Sequence, residues 1–276
     1  MGYRTTYRLF LLWQIIEGPR PYGLFAGRLT DIGATMLIAI LNQSTLVSDA
    51  DAATMTQAIA AQVRLDAAPL WDRSPAAVIF YTNPNDVPAT AHGIALVDTI
   101  KDQPQGVLGF HTEDEGGKLW GVVAAKPELD NGGKATTGDW SVSSVLSHEV
   151  LEMYIDPNCN LWANDGHGKA YSFEVCDPVE APTYAVNGVS VSNFVTPAWF
   201  DPLSDHATAQ YDKLGKLRAP FSILKGGYVV YESAGAEHQQ FGDEFPAWRK
   251  KMKSGKLART RRRLKQAEAL LAPITA

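Results

Sequence analysis

Residues 140–157 read WSVSSVLSHEVLEMYIDP and are the most informative stretch of the sequence. Its composition predicts a helix from Trp140 to Ile155, with Asp139 as the N-cap. Asp156-Pro157 ends the helix, because a residue before proline avoids the helical conformation. The surrounding residues are mostly apolar, which indicates a buried helix. Three ionisable residues nevertheless lie at its centre: His148, Glu149 and Glu152.

The spacing of these three residues favours a divalent-metal site. His148 and Glu152 are four positions apart, so their side chains project from one helix face and can reach a single ion. Glu149 is rotated by about 100° from His148, where it can contact a water on the ion. A catalytic zinc usually has three protein ligands and one open position. The third ligand must therefore come from outside the helix.

Two acidic residues are candidates for the third ligand. Glu174 is the first choice, because its segment can return alongside the helix. Asp156 is the alternative, one helical turn beyond Glu152, although the helix ends there. Asp177 is expected to accept the other ring N–H of His148 and so to fix its tautomer. Zn²⁺ is the expected ion, and another divalent cation is the alternative.

A competing interpretation is that this helix has a solvated face on which the acids form ion pairs. Against it, no Lys or Arg lies between Lys134 and Lys169. Buried carboxylates without cationic partners need a metal ion or a shifted protonation equilibrium. The sequence therefore favours the metal site. His111, which follows an apolar strand, could face the site, but a structural or surface histidine is the favoured interpretation.

The remaining pattern predicts an α+β fold. One helix, Ala53–Leu65, and the Trp140–Ile155 helix each carry an apolar stripe, so both are expected on the same face of one twisted mixed sheet. Short strands follow the second helix, among them Tyr171–Cys176 and a hairpin at Asn187-Gly188. Five apolar segments are predicted strands of the main sheet: 36–42, 76–81, 94–97, 107–111 and 119–125. We divide this region into an N-terminal part (36–157) and a smaller β-rich part (158–245) that completes the metal site.

The two ends differ from this body. Residues 1–35 are interpreted as an N-terminal extension, with a cleaved export signal as the alternative. Residues 246–276 form a basic tail, since ten Lys and Arg and no acid lie between Arg249 and Lys265, while the whole chain has a net charge of −5. Such a tail attracts nucleic acid or an acidic partner, or it folds back on the acidic body.

Composition narrows the class of protein further. No apolar run approaches the ~18 residues that a membrane span requires, so no span is expected. The chain has two cysteines, Cys159 and Cys176, which excludes a disulfide framework. One bridge and two free thiols remain equal alternatives.

The motif resembles that of zincin metallopeptidases of the gluzincin type. The resemblance is carried by Ser147-His148-Glu149-Val150-Leu151-Glu152, Asp156-Pro157, Trp162 and Glu174-Val175-Cys176-Asp177. A closer similarity is to phage and bacterial proteins with a Ser-His-Glu-x-x-Glu…Asp-Pro pattern, and a distant one is to the exordium-like proteins of plants.

This resemblance implies a zincin-like fold and a zinc-dependent hydrolase of peptide or protein substrates. His148, Glu152 and Glu174 would hold zinc, and Glu149 would take a proton from the attacking water. The strand Leu119–Ala125 would pair at its edge with an extended peptide, with Gly121 and Val122 in contact with the substrate.

One departure from the zincin pattern bears on catalysis. Glu152 stands where zincins have their second histidine, and the added negative charge makes the ion a weaker Lewis acid. The alternative function is therefore a non-catalytic zincin-fold structural protein, either virion-associated or secreted. The bacterial cytoplasm or a virion is favoured over secretion as the location.

Overall fold

The computed structural model describes residues 36–100, 107–113 and 118–242. The predicted N-terminal extension and the predicted basic tail lie outside the described residues. Within the described part of the chain, no helix is long and apolar enough to span a bilayer.

The main sheet has five strands, in the order β2-β1-β3-β5-β4. β1, β2, β3 and β5 are mutually parallel, and β4 is antiparallel to β5 at one edge. The fold is thus mixed α+β, as the sequence predicts. The strands are β1 (Leu37–Asn42), β2 (Ala77–Tyr81), β3 (His92–Val97), β4 (Gly109–Glu113) and β5 (Leu119–Ala124).

Two long helices cover this sheet. α1 (Asp49–Gln62) packs against β1 and β2, α4 (Val142–Ile155) packs against β4 and β5, and the two helices contact each other. They therefore share one face of the sheet, which is the arrangement that their apolar stripes predict. Two short helices complete the set: α2 (Ala68–Leu70) and α3 (Lys126–Asp130).

A π-helical turn joins α1 to α2. It spans Val63–Ala67, and the Ala68 N–H donates to the carbonyl of Val63, five residues back. At the far side of this turn, the Trp71 indole N–H donates to the carbonyl of Val195 at 3.2 Å. The turn therefore sets where the end of this helical segment meets the C-terminal part.

The N-cap of α4 is Ser141 and not Asp139, so that prediction is wrong. The Ser141 side chain accepts the N–H of Ser144, and the Ser144 hydroxyl accepts the N–H of Ser141. This reciprocal pair satisfies two N–H groups at once, whereas the Asp139 carboxylate accepts the hydroxyl of Thr183. Every residue of α4 is buried.

The C-terminal part is β-rich. Its four-stranded sheet has the order β11-β10-β7-β6, and a separate hairpin pairs β8 with β9. Asn187 (φ 51°) and Gly188 (φ 81°) form the hairpin turn, as predicted. The strands are β6 (Trp162–Asn164), β7 (Ala170–Ser172), β8 (Thr183–Val186), β9 (Val189–Ser192), β10 (Tyr228–Ser233) and β11 (Ala236–Phe241).

One hydrophobic core joins the two parts. It contains Ile59 of α1 and Leu146 of α4 together with Phe194 and Trp199 from the C-terminal part, each 0 % exposed. The predicted strand Tyr171–Cys176 is shorter than expected, because β7 ends at Ser172. Glu174 therefore lies on irregular chain.

Candidate metal centre

His148 lies between two carboxylates at the middle of α4. Its Nε2 atom is 3.0 Å from Glu152 Oε1 and 3.2 Å from Asp177 Oδ1. The first contact follows from the four-residue helical spacing. The second corrects the predicted role of Asp177, which approaches the same ring nitrogen as Glu152 and not the opposite one. Asp177 is thus placed as a candidate ligand.

The position of Asp177 depends on a short 3-10 helix, Asp177–Val179. Gly227 packs closely against that helix: a Cβ atom on Gly227 would lie only 2.2 Å from the carbonyl oxygen of Pro178. No side chain fits at that distance. The close approach of the two segments therefore requires glycine.

Glu152 is the residue common to all candidate ligand groups among the described residues. One group joins it to His148 and Cys176, a second to Glu174 and Asp177, and in each the donor atoms lie within 4.8 Å of one another. The three predicted ligands are thus divided between two groups. The contact between His148 and Asp177 links these groups into one cluster.

Burial and charge make Glu152 hard to ionise. Burial, together with repulsion from Asp177 and Glu174, raises its pKa to about 7 against the opposing attraction of His148. The carboxylate is 0 % exposed. A divalent cation would remove this repulsion and hold all of these carboxylates in their charged form.

Glu149 lies on the adjacent face of α4, beside a small pocket. His148 and Glu149 both line that pocket, together with Gly109 of β4. A Cβ atom on Gly109 would lie 2.8 Å from Glu149 Oε1 and 2.9 Å from its Cγ. The carboxylate therefore occupies space that only a glycine leaves open.

His111 lies in this cluster, so the structure agrees with the alternative that it faces the site, and a surface position is wrong. It is 1 % exposed, and its Nδ1 atom lies 3.5 Å from Glu149 Oε2. The opposite nitrogen, Nε2, lies 3.2 Å from the carbonyl oxygen of Asp156 and 2.9 Å from Cys159 Sγ. Burial tends to lower the pKa of His111, but Cys159 and Glu149 together hold it well above its usual value.

Asp156 is not placed as a metal ligand. Its carboxylate accepts the N–H groups of Asn160 and Leu161, and it is absent from the candidate groups of the described residues. Its role is to fasten the loop after α4. That loop brings Cys159 Sγ into contact with His111 Nε2.

Both cysteines are free thiols. Cys176 is fully buried, its N–H donates to Glu152 Oε1 at 3.3 Å, and burial raises the pKa of its thiol well above the usual value. Cys159 is half-buried and adopts a left-handed backbone conformation (φ 52°). Of the two alternatives for the cysteines, the structure has two thiols.

β5 does not present an edge, so the prediction of peptide pairing along Leu119–Ala125 is wrong. Gly121 pairs with Ile94 of β3 on one side and with His111 of β4 on the other, and Val122 is likewise enclosed. The pairing of β4 with β5 is predicted from the sequence, but the pairing of β5 with β3 is not, because β4 lies between these two strands in the chain. The edge strand next to α4 is β4.

A neutral polar network holds α4 at Ser147, the residue before His148. Ser147 Oγ donates to Gln62 Oε1 at 2.7 Å and accepts the N–H of Ser192 at 3.0 Å. Gln62 Nε2 in turn donates to the carbonyl of Ser192 at 2.8 Å. This Gln62 network (Gln62, Ser147 and Ser192) ties α4 to α1 and β9 and so fixes the rotation of the helix that carries His148.

Comparisons of the chain with protein-family models, with curated proteins and with solved structures found no significant match. The zincin resemblance therefore stays a prediction from the motif residues.

Of the residues that the structure brings to the site, sequence reasoning missed Cys176 and ranked His111 as a structural or surface histidine. Cys176 had a signal, since it lies between Glu174 and Asp177 in one short segment. His111 had a weaker one: it closes an apolar strand, and only the sheet order shows that this strand lies beside α4.

Proposed function

We propose that the protein is a zinc-dependent, metallopeptidase-like hydrolase that cleaves peptide bonds. The observation that carries the proposal is the position of His148 Nε2, within 3.2 Å of carboxylate oxygens from both Glu152 and Asp177. Imidazole and carboxylates are donors that suit Zn²⁺, and the acids are buried. Glu174 is the proposed third ligand, with Asp177 beside it.

Zinc, when bound, would polarise the substrate carbonyl and make water more acidic. The other steps belong to residues of this chain. Glu149 lines the pocket next to His148 and would accept the proton of the attacking water, then pass it to the leaving amine. Gly109 leaves the space in which the Glu149 carboxylate lies.

The substrate would bind along β4. This strand is the edge of the main sheet and carries Gly109 into the pocket lining. A peptide that follows this strand would pass the pocket that His148 and Glu149 line.

The test combines metal analysis with activity. Zinc is measured by atomic spectroscopy on purified protein, and cleavage is measured with a mixture of internally quenched peptides. Glu149→Gln is expected to lower kcat by about 100-fold or more while at least one zinc is retained. Glu174→Gln is expected to lose stoichiometric zinc. A wild-type protein that binds no divalent metal contradicts the proposal.

A second candidate is a non-catalytic zincin-fold protein in which the metal is structural. Its supporting observation is burial, since Glu149 is 1 % and Glu152 0 % exposed. The same experiment separates the two functions. Stoichiometric zinc with no cleavage of any peptide, in the wild type and in Glu149→Gln alike, favours the structural protein.

A further inference from the structure

The acidic cluster contains more carboxylates than one divalent ion balances. Four carboxylates with under 10 % exposure lie in it: Glu149, Glu152, Glu174 and Asp177. Fully ionised, they carry −4, so one divalent ion leaves −2 and two ions leave zero. Buried like charges repel one another, so a second cation would lower this repulsion further than a single one does.

A second set of donor atoms shares Glu152 with the groups around His148 and Asp177. His111, Glu149 and Glu152 each offer a ligand atom, and these atoms lie within 4.8 Å of one another. The set contains imidazole and carboxylates, as the first set does. Both carboxylates come from α4, whereas His111 comes from the neighbouring strand β4.

The surroundings of His111 favour ligation through Nδ1. Its Nε2 lies 3.2 Å from the carbonyl oxygen of Asp156, which can only accept, so Nε2 carries the proton in that contact. Nδ1 is buried without a hydrogen-bond partner and points toward Glu149. A metal-bound histidine commonly donates its other ring N–H to a backbone carbonyl in this way.

We propose that the protein holds two divalent first-row metal ions, with a second ion bound by His111 Nδ1, Glu149 and Glu152, and with the Glu152 carboxylate bridging the two. This inference rests on the proposed function, which supplies the first ion at His148. A carboxylate has two oxygens and can bind one ion through each. Ions in such pairs lie about 3.5–4 Å apart.

The second ion gives a physical reason for a glutamate at position 152. A neutral imidazole has a single acceptor nitrogen, so it binds one ion, whereas a carboxylate can bind two through its two oxygens. Glu149 approaches His111 through Oε2, while its Oε1 lies on the Gly109 side of the pocket. One oxygen can therefore bind the ion while the other still accepts a proton.

The test is a Co²⁺ titration of metal-free full-length protein, with bound ions counted per chain after equilibrium dialysis. We expect two ions for the wild type and one for His111→Gln. The matched control is His167→Gln, a substitution of an exposed histidine between β6 and β7, which should keep two ions. Melting curves show whether each variant is folded.

A second readout needs no variant. Spin coupling through a shared carboxylate should weaken the electron paramagnetic resonance signal of the one-ion protein when the second Co²⁺ is added. Two uncoupled ions, or two ions in His111→Gln, overturn the bridged site. One ion per chain in the wild type also overturns it and leaves the proposed function standing, with His111 as an ion-pair partner of Glu149. No bound ion overturns both.

Discussion

Two buried polar clusters lie side by side on α4, and they differ in how the loss of water around their polar groups is compensated. The Gln62 network is neutral, and its groups satisfy one another at 2.7–3.0 Å. The acidic cluster, centred on Glu152, brings carboxylates together where burial and mutual repulsion raise the pKa of Glu152 to about 7. A neutral network is complete within the chain, whereas an acidic cluster calls for a cation. We expect the Gln62 network to hold the helix in place and the acidic cluster to bind the ion.

Metal removal should have the largest effect, because only the acidic cluster depends on an added ion. At a free zinc concentration about 1,000 times Kd, binding stabilises the fold by about 4 kcal/mol. For a chain of this size that corresponds to roughly 8–16 °C in Tm. Calorimetry with zinc and with a chelator measures the shift.

Glu152→Gln is expected to abolish that shift, since Glu152 belongs to every candidate ligand group of the described residues. Glu232→Gln on β10 serves as the control and should keep it. Equal melting temperatures with zinc and with chelator would show that the cluster is stable without a cation, and the contrast with the Gln62 network would disappear.

A substitution in the neutral network should lower the stability of the fold without changing metal binding. Gln62→Ala leaves the Ser147 hydroxyl and the Ser192 carbonyl without their buried partner, at a cost of about 3 kcal/mol in the free energy of unfolding. Metal stoichiometry should not change. Gln57→Ala, an exposed glutamine on the same helix, should be nearly neutral. If Gln62→Ala also loses metal, the two clusters are one functional unit.

A smaller effect is expected at the boundary between β4 and α4. Gly109→Ala places a methyl group 2.9 Å from Glu149 Cγ, and overpacking of this kind costs about 1–2 kcal/mol. Because the displaced group is Glu149, activity should fall more than stability does. Gly93→Ala on β3 has no atom within 4 Å of the new Cβ and is the matched control. Unchanged kinetics in Gly109→Ala would separate Glu149 from catalysis.

The smallest effect concerns a carboxylate outside both clusters. Hydrogen bonds from the side chains of Ser44 and Thr45 lower the pKa of Asp98 to about 2. Because the folded pKa is depressed below its usual value of 3.8, the stabilisation is present above pH ~4 and is lost as the pH falls toward 2.

Asp98→Asn should therefore melt slightly below the wild type at neutral pH, and the difference should vanish by about pH 2. Thermal melts of both proteins across that range measure it, with the exposed Asp86→Asn as the control. A difference that does not change with pH would assign the effect to packing.

The sequence predicted where helices and strands lie along the chain better than it predicted which of them pack together. Apolar runs and helix periodicity located β1 to β5, α1 and α4, because these signals are local. Strand order is not local, so β5 was mistaken for an edge strand and His111 was ranked as a structural or surface histidine before a residue that faces the site. The motif residues His148, Glu149 and Glu152 share one helix and could be identified from spacing alone. Asp177 depends on a turn held by Gly227, which no spacing rule describes.

The π turn between α1 and α2 has a consequence for chain length. A π turn contains one residue more than the α turn that it replaces, and its solvent side holds Leu65, which is 63 % exposed. Loss of that single residue would restore regular helix and rotate the following residues by about 100°. Trp71 would then leave the carbonyl of Val195. In this segment, a deletion at an exposed position would be more harmful than almost any substitution there.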